Sequence, residues 1–122
     1  MYRIKLNIVF NTLELHLQEC FDTEQGRELF GELSMSIHEL KPGFKLLTDL
    51  SELRKMDFDA HQSIDEIMEL CNKHNVSKVV RVITKDSRDI GFNIMSLFHY
   101  SHRVIIHTCD SLEKAQKEIG VF

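Results

Sequence analysis

The chain has 122 residues, 43% of them hydrophobic and 28% charged, with a formal net charge of −4, which suits one compact domain and excludes two. A chain of this size hides somewhat under ~70% of its unfolded surface on folding, so it is expected to need neither disulfide nor structural metal. Its mild acidity argues against a nucleic-acid module, which needs a concentrated basic face.

Cys20, Cys71 and Cys109 are odd in number, widely spaced and set among apolar or amphipathic neighbours, as reduced core thiols of a cytoplasmic protein are. Met1 to Asn7 alternates charged and apolar residues and so lacks the apolar segment of a signal peptide. The longest apolar runs, Val79-Val80 and Val104-Ile105-Ile106, fall far short of the roughly 20 residues that span a bilayer. A cytoplasmic location and no membrane span are expected.

Ile4, Leu6 and Ile8 alternate with polar residues, and the alternation resumes after Asn11-Thr12 as Leu13, Leu15 and Leu17, which predicts a β-hairpin. From Asp22 the period becomes helical. Leu29, Phe30, Leu33, Ile37 and Leu40 line a first helix from Thr23 to Glu39, with Asp22 as its cap and Gln25 three residues on. Lys41-Pro42-Gly43 ends it, and Phe44 to Asp49 reads as a buried strand.

Ala60, Ile64, Ile67, Met68 and Cys71 form the stripe of a second helix, capped by Asp57 or Asp59. Val79 to Ile83 has the near-continuous apolar character of a strand covered on both faces, and Asp86 to Asp89 can start a third helix carrying Ile90, Ile94, Met95 and Phe98. Val104 to Thr108 reads as another interior strand. Ser111 to Ile119 reads as a last helix with Asp110-Ser111-Leu112-Glu113 at its start and Gly120 past its end. The order β-β-α-β-α-β-α-β-α predicts an α/β fold with a mixed, mostly parallel sheet covered by helices, in one domain over residues 1–122.

That order, together with Leu46-Leu47-Thr48-Asp49-Leu50-Ser51 leading through Met56-Asp57 into the second helix, resembles the STAS superfamily and its SpoIIAA-like bacterial anti-sigma-factor antagonists. The likeness spans nearly the whole chain. It implies a non-catalytic regulatory module that binds a protein partner through the start of the second helix. In those antagonists an Asp-Ser pair opens that helix, and phosphorylation of the Ser by a partner kinase controls binding. Here Asp57 stands at the Asp position and Phe58 at the Ser position, so the likeness implies the surface without the phospho-switch. Ser51 and Ser63 are nearby hydroxyls at other positions. The residues expected at this surface are Asp49, Ser51, Met56, Asp57, Phe58 and Asp59.

Ligands of open α/β sheets gather at the carboxyl ends of the parallel strands, which groups Asp49, Ser51, Thr84, Asp86, His107 and Thr108. Structural roles serve the same residues: Asp86 and Asp110 as caps, Asp49 fixing its own turn, and Thr84 and Thr108 finishing strands. Asp49 and His107 would form an acid/base pair if their strands were adjacent, but no nucleophile elbow or oxyanion loop accompanies them, so no enzyme is expected. The seven histidines lack zinc spacing, and Asp86 to Asn93 lacks the glycine spacing and Lys of a phosphate loop; no metal and no cofactor are expected. Arg81 interrupts a buried strand and must be paired, snorkel its head to the surface, or hold an anionic ligand.

The third helix is apolar round much of its girth, with Ile90, Phe92, Ile94, Met95, Leu97, Phe98 and Tyr100, enough to pack under a loop, meet another subunit or wall an apolar pocket. Two readings follow. One is an interaction module that binds a protein partner, or itself, through the start of the second helix and the third helix. The other is a small-molecule or lipid-binding domain similar to the CRAL-TRIO carriers, taking an apolar or anionic ligand at Arg81, Thr84, Asp86, His107, Phe92 and Met95.

Overall fold

The alternating leucines of the N-terminal segment build the expected hairpin: β1 (Tyr2–Asn7) pairs antiparallel with β2 (Thr12–Leu17), setting Ile4 opposite Leu15 and Leu6 opposite Leu13. The structure, a computed structural model, describes residues 1–85 and 103–120. Asn11 closes the hairpin at φ 54°, a left-handed conformation that Asn tolerates. Its side chain both donates to Lys41 O at 3.1 Å and accepts from Lys41 N at 2.8 Å, tying the turn to the end of the first helix.

After β3 (Glu19–Phe21), Asp22 caps α1 (Thr23–Ser36), its Oδ1 accepting from Gln25 N at 2.8 Å. The helix tightens into a 3-10 turn over Ile37–Glu39 before the chain enters β4 (Lys45–Asp49). β5 (Leu53–Met56) and a 3-10 turn (Phe58–Ala60) lead into α2 (His61–Lys73), which is followed by β6 (Lys78–Val82). β7 (Ile105–Cys109) and α3 (Leu112–Ile119) complete the described chain. Gly120 stops α3 as expected, at φ 84°, where only glycine is at ease, but the helix starts one residue later than expected: Ser111 and not Asp110 is its cap, with Ser111 Oγ accepting from Lys114 N at 3.2 Å, because Asp110 stands one position too early to reach the first-turn N–H groups.

The main sheet is ordered β1-β2-β4-β6-β7 and is parallel from β2 onward. α1 and α2 pack on one face, burying Leu29, Leu33, Ile64, Ile67 and Met68 against Leu13, Leu15, Leu17, Leu46 and Val79. α3 packs on the other, where Ala115 and Ile119 meet Leu47, Val80 and Val82. Lys45 Nζ and Lys78 Nζ donate to the carbonyls of Ile119 (3.4 Å) and Glu118 (3.0 Å), placing two cations at the negative end of α3.

Four further expectations change. β3 and β5 form a separate two-stranded parallel sheet that the sequence pattern did not announce, being too short to display a period. Neither Asp57 nor Asp59 caps α2: the helix grows out of the 3-10 turn with Ala60 at its N-cap position, and Ala60 N donates to the backbone oxygen of Asp57 at 3.0 Å. β7 is not interior but lies at the sheet edge among the described residues. Of the three free thiols only Cys71 is a core residue, Cys20 and Cys109 being half-buried. The expected third helix lies outside the described residues.

Candidate interaction site

The entrance to α2 is fixed by the small sheet. Pairing of β3 with β5 sets Met56 beside Phe21, and Asp57 N then donates to Phe21 O at 3.0 Å, holding the 3-10 turn against the start of α1. The two helices meet at Gly26 without a side chain between them: a Cβ on Gly26 would stand 2.5 Å from Ser63 Oγ and 2.6 Å from Ser63 Cβ. Glycine is required there by that approach. Thr23, Arg27, Asp59, Gln62, Ser63 and Glu66 line a depression of about 110 Å³ between the first turns of the two helices. Met56 and Asp57 are half-buried and Asp59 exposed, while the side chain of Phe58 lies outside the described part.

Asp49 does not share this surface. It points to the α3 face of the sheet, where its Oδ1 accepts from Ser51 N at 3.0 Å and fixes the turn out of β4. Its Oδ2 lies 2.9 Å from His16 Nδ1, and His16 Nε2 lies 3.2 Å from Glu14 Oε1. Glu14, His16 and Asp49 are 5%, 3% and 7% exposed, so the cluster is closed to solvent. Because both ring nitrogens face carboxylates, each must carry a proton to donate, and the geometry calls for the imidazolium. The Asp49 hydrogen bond raises the His16 pKa against the opposing effect of burial, with Glu14 adding to the rise. Burial pushes the Asp49 carboxyl up, but the hydrogen bonds from His16 and Ser51 outweigh it and hold the group below its usual range.

The residues grouped as ligand-binding do not converge. Arg81, 5% exposed, lies opposite Thr48 of β4 and Thr108 of β7 on the α1/α2 face. His107, one position earlier on β7, turns to the α3 face, with Nδ1 3.5 Å from Glu118 Oε1. β6 separates β4 from β7, so the Asp49–His107 acid/base pair does not form. Thr84 is half-buried just past β6, and Asp86, Phe92 and Met95 lie outside the described residues. Among the described residues no helix is long and apolar enough to cross a membrane.

The sequence pattern singled out neither Glu14 and His16, which alternate with the leucines of β2, nor Arg27, which its position in α1 brings to the α2 entrance.

A mixed, mostly parallel sheet with α1 and α2 on one face and a C-terminal helix on the other is the arrangement of a SpoIIAA-like fold. Comparison with solved structures gives the same result. A DUF3478-family protein of Shewanella loihica PV-4 with a SpoIIAA-like fold superposes with a TM-score of 0.69 at 10% identity, covering 98% of this chain and 92% of its own. The anti-sigma-factor antagonist SpoIIAA in its unphosphorylated form superposes with a TM-score of 0.62 at 9% identity, with 100% of both chains covered. No family model and no curated protein matches the sequence.

Proposed function

We propose that the chain is a non-catalytic regulatory module that binds a protein partner through the entrance to α2. The observation that carries this reading is the convergence of the first turns of α1 and α2 on one shallow, charge-bearing depression, with Asp59, Arg27 and Glu66 on its lining. Met56 and Asp57 adjoin it through the β3–β5 sheet, and the likeness in fold to an anti-sigma-factor antagonist supports a regulatory, protein-binding role in general. With Phe58 in place of a hydroxyl residue, binding here is controlled by partner supply or by another surface rather than by phosphate at that position. Ser51 and Asp49 act behind the site as a turn, and the protein works in the cytoplasm. The lipid-carrier reading leans on Phe92 and Met95 and gains no support from the described residues.

The test is affinity capture with wild-type protein and the double variant Asp57→Lys/Asp59→Lys, paired with a thermal melt of each. Loss of the captured partner at an unchanged melting temperature is expected, since charge reversal at a rim acts on association. Equal capture by both proteins would remove this surface from consideration.

A further inference from the structure

Ile8, Val9 and Phe10 form the tip of the β1–β2 hairpin and are 59%, 89% and 54% exposed, where a hairpin turn ordinarily carries small or polar residues. The turn that presents them is fixed from both sides. Phe10 N donates to Asn7 Oδ1 at 3.1 Å, and Asn11 N donates to Ile8 O at 3.2 Å. The Asn11 side chain is tied in turn to both backbone groups of Lys41, so the tip is held out from the core with its three apolar side chains toward solvent.

Cations surround this tip. Lys5 stands three residues before it on β1, and Lys41 is held beside it by Asn11. Gly43 N donates to Asn75 O at 2.7 Å, which brings the last residue of α2, Lys73, to the same end of the sheet. Lys5, Lys41 and Lys73 are exposed, and none of them is in an ion pair among the described residues. Glu39 and Glu69 oppose them without pairing, and Glu118 at this end is already held by Lys78 at 3.3 Å. The carboxylates of Glu24 and Asp59 lie at the far end, where α1 and α2 begin. A chain of net charge −4 thus sets an apolar tip with a basic rim opposite its acidic end.

We propose that this tip docks the protein on the surface of an anionic bilayer, Ile8, Val9 and Phe10 entering the interfacial layer while Lys5, Lys41 and Lys73 rest on the lipid phosphates. Shallow apolar insertion and a cluster of cations are the two weak signals that surface anchoring combines. A bilayer suits the tip better than a protein does: three side chains on a protruding turn offer neither a groove nor the about 800 Å² per partner of a standard protein interface. Docked this way, the α2 entrance at the far end of the sheet faces away from the lipid and stays open to its partner. The contact uses no residue of that entrance, so its failure leaves the partner-binding reading standing.

Co-sedimentation of the whole chain with vesicles is the first test, phosphatidylglycerol mixed with phosphatidylcholine against phosphatidylcholine alone. The wild type should pellet with the anionic vesicles and stay in solution with the neutral ones. Val9→Asp should weaken binding at least about tenfold, since a carboxylate at the tip has to be desolvated and meets lipid phosphate. Lys41→Gln/Lys73→Gln should weaken it about twenty-five-fold, each cation near an anionic surface being worth about fivefold. These positions are exposed, and a thermal melt of each variant checks the fold. Depth is read by Phe10→Trp: the chain has no tryptophan, so this single indole should shift its emission to the blue on anionic vesicles and be quenched by brominated lipid. A wild type that pellets with neither vesicle or with both alike, a tip or lysine variant that binds as well as the wild type, or an indole that stays in water while the protein pellets would each overturn the proposal. So would a Val9→Asp protein that loses a captured protein and keeps its vesicles.

Discussion

His16 of β2 and Asp49 of β4 meet across neighbouring strands with Nδ1 and Oδ2 2.9 Å apart, on the face of the sheet that α3 shares. Glu14, two residues before His16 on the same strand, holds the second ring nitrogen at 3.2 Å. A buried charge in this position is tolerated only because partners surround it, and removing one partner of such a cluster is far more costly than never having built it.

The cluster makes stability depend on pH in a defined direction. His16 has a folded pKa above its ordinary 6.5, so its contribution is complete below that value and is lost as pH rises through the raised one. Asp49 has a folded pKa below its ordinary 3.8, so its contribution is complete above that value and is lost as pH falls through the depressed one. Both are fully present between pH 3.8 and 6.5. The melting temperature is therefore expected to be higher in that window than at mildly alkaline pH, and His16→Asn should flatten the alkaline decline as well as lower the curve. Calorimetric scans across the range provide the measurement; parallel profiles for the two proteins would mean that His16 is neutral in the folded state.

Gly26 and Ser63 set the closeness of α1 and α2. Gly26→Ala would drive its methyl into Ser63 Oγ at 2.5 Å and Cβ at 2.6 Å, so the helices must separate, a repacking cost of about 1–3 kcal/mol that outweighs the gain of up to ~1 kcal/mol in helix propensity. Ser63→Gly in the same chain removes both clashing atoms. Urea unfolding of the single and double variants should give a coupling of opposite sign to the single loss. Additive effects would show that the helices do not meet at this point.

What could be read in advance divides along a physical line. The Asp22 cap and the Gly120 stop were legible because each is decided within a few residues, and the structure keeps both, whereas the cap of the last helix falls on Ser111, one residue after the expected Asp110. The sheet faces of Leu13, Leu15 and Leu17 were legible for the same reason, since alternation assigns a side. Alternation does not report what lies over the other side, and so it gave no sign that Glu14 and His16 are buried with the rest of β2. A β-branched run likewise looks the same at the centre and at the edge, so Val104 to Thr108 read as interior when strand order places β7 outermost among the described residues. Asp57 and Asp59 had the chemistry of caps, but a preceding 3-10 turn already occupies the place where a cap would act. At the candidate site, the motif pointed to Asp57, beside which Asp59 was grouped. Arg27 and Glu66 were not legible, because only the crossing of two helices brings them together.

The cysteines test the packing beneath α2. Cys71 has no exposed surface, and burial pushes its thiol up to about 12, so at pH near 8 almost none of it is thiolate and none is reachable. Cys109 is accessible but also raised, first by burial and then by the nearby Glu118 and Asp110 carboxylates. Cys20 is half-buried on β3 in the small sheet. A disulfide reagent followed by peptide mass mapping should modify Cys20 first, Cys109 more slowly, and Cys71 only as fast as the molecule opens. Adding urea below the unfolding midpoint should then accelerate Cys71 in step with the fall in stability, while Cys20 changes little. Labelling of Cys71 as fast as Cys20 in native buffer would mean that α2 does not seal the core between itself and the sheet, and the close helix contact at Gly26 would have to be abandoned with it.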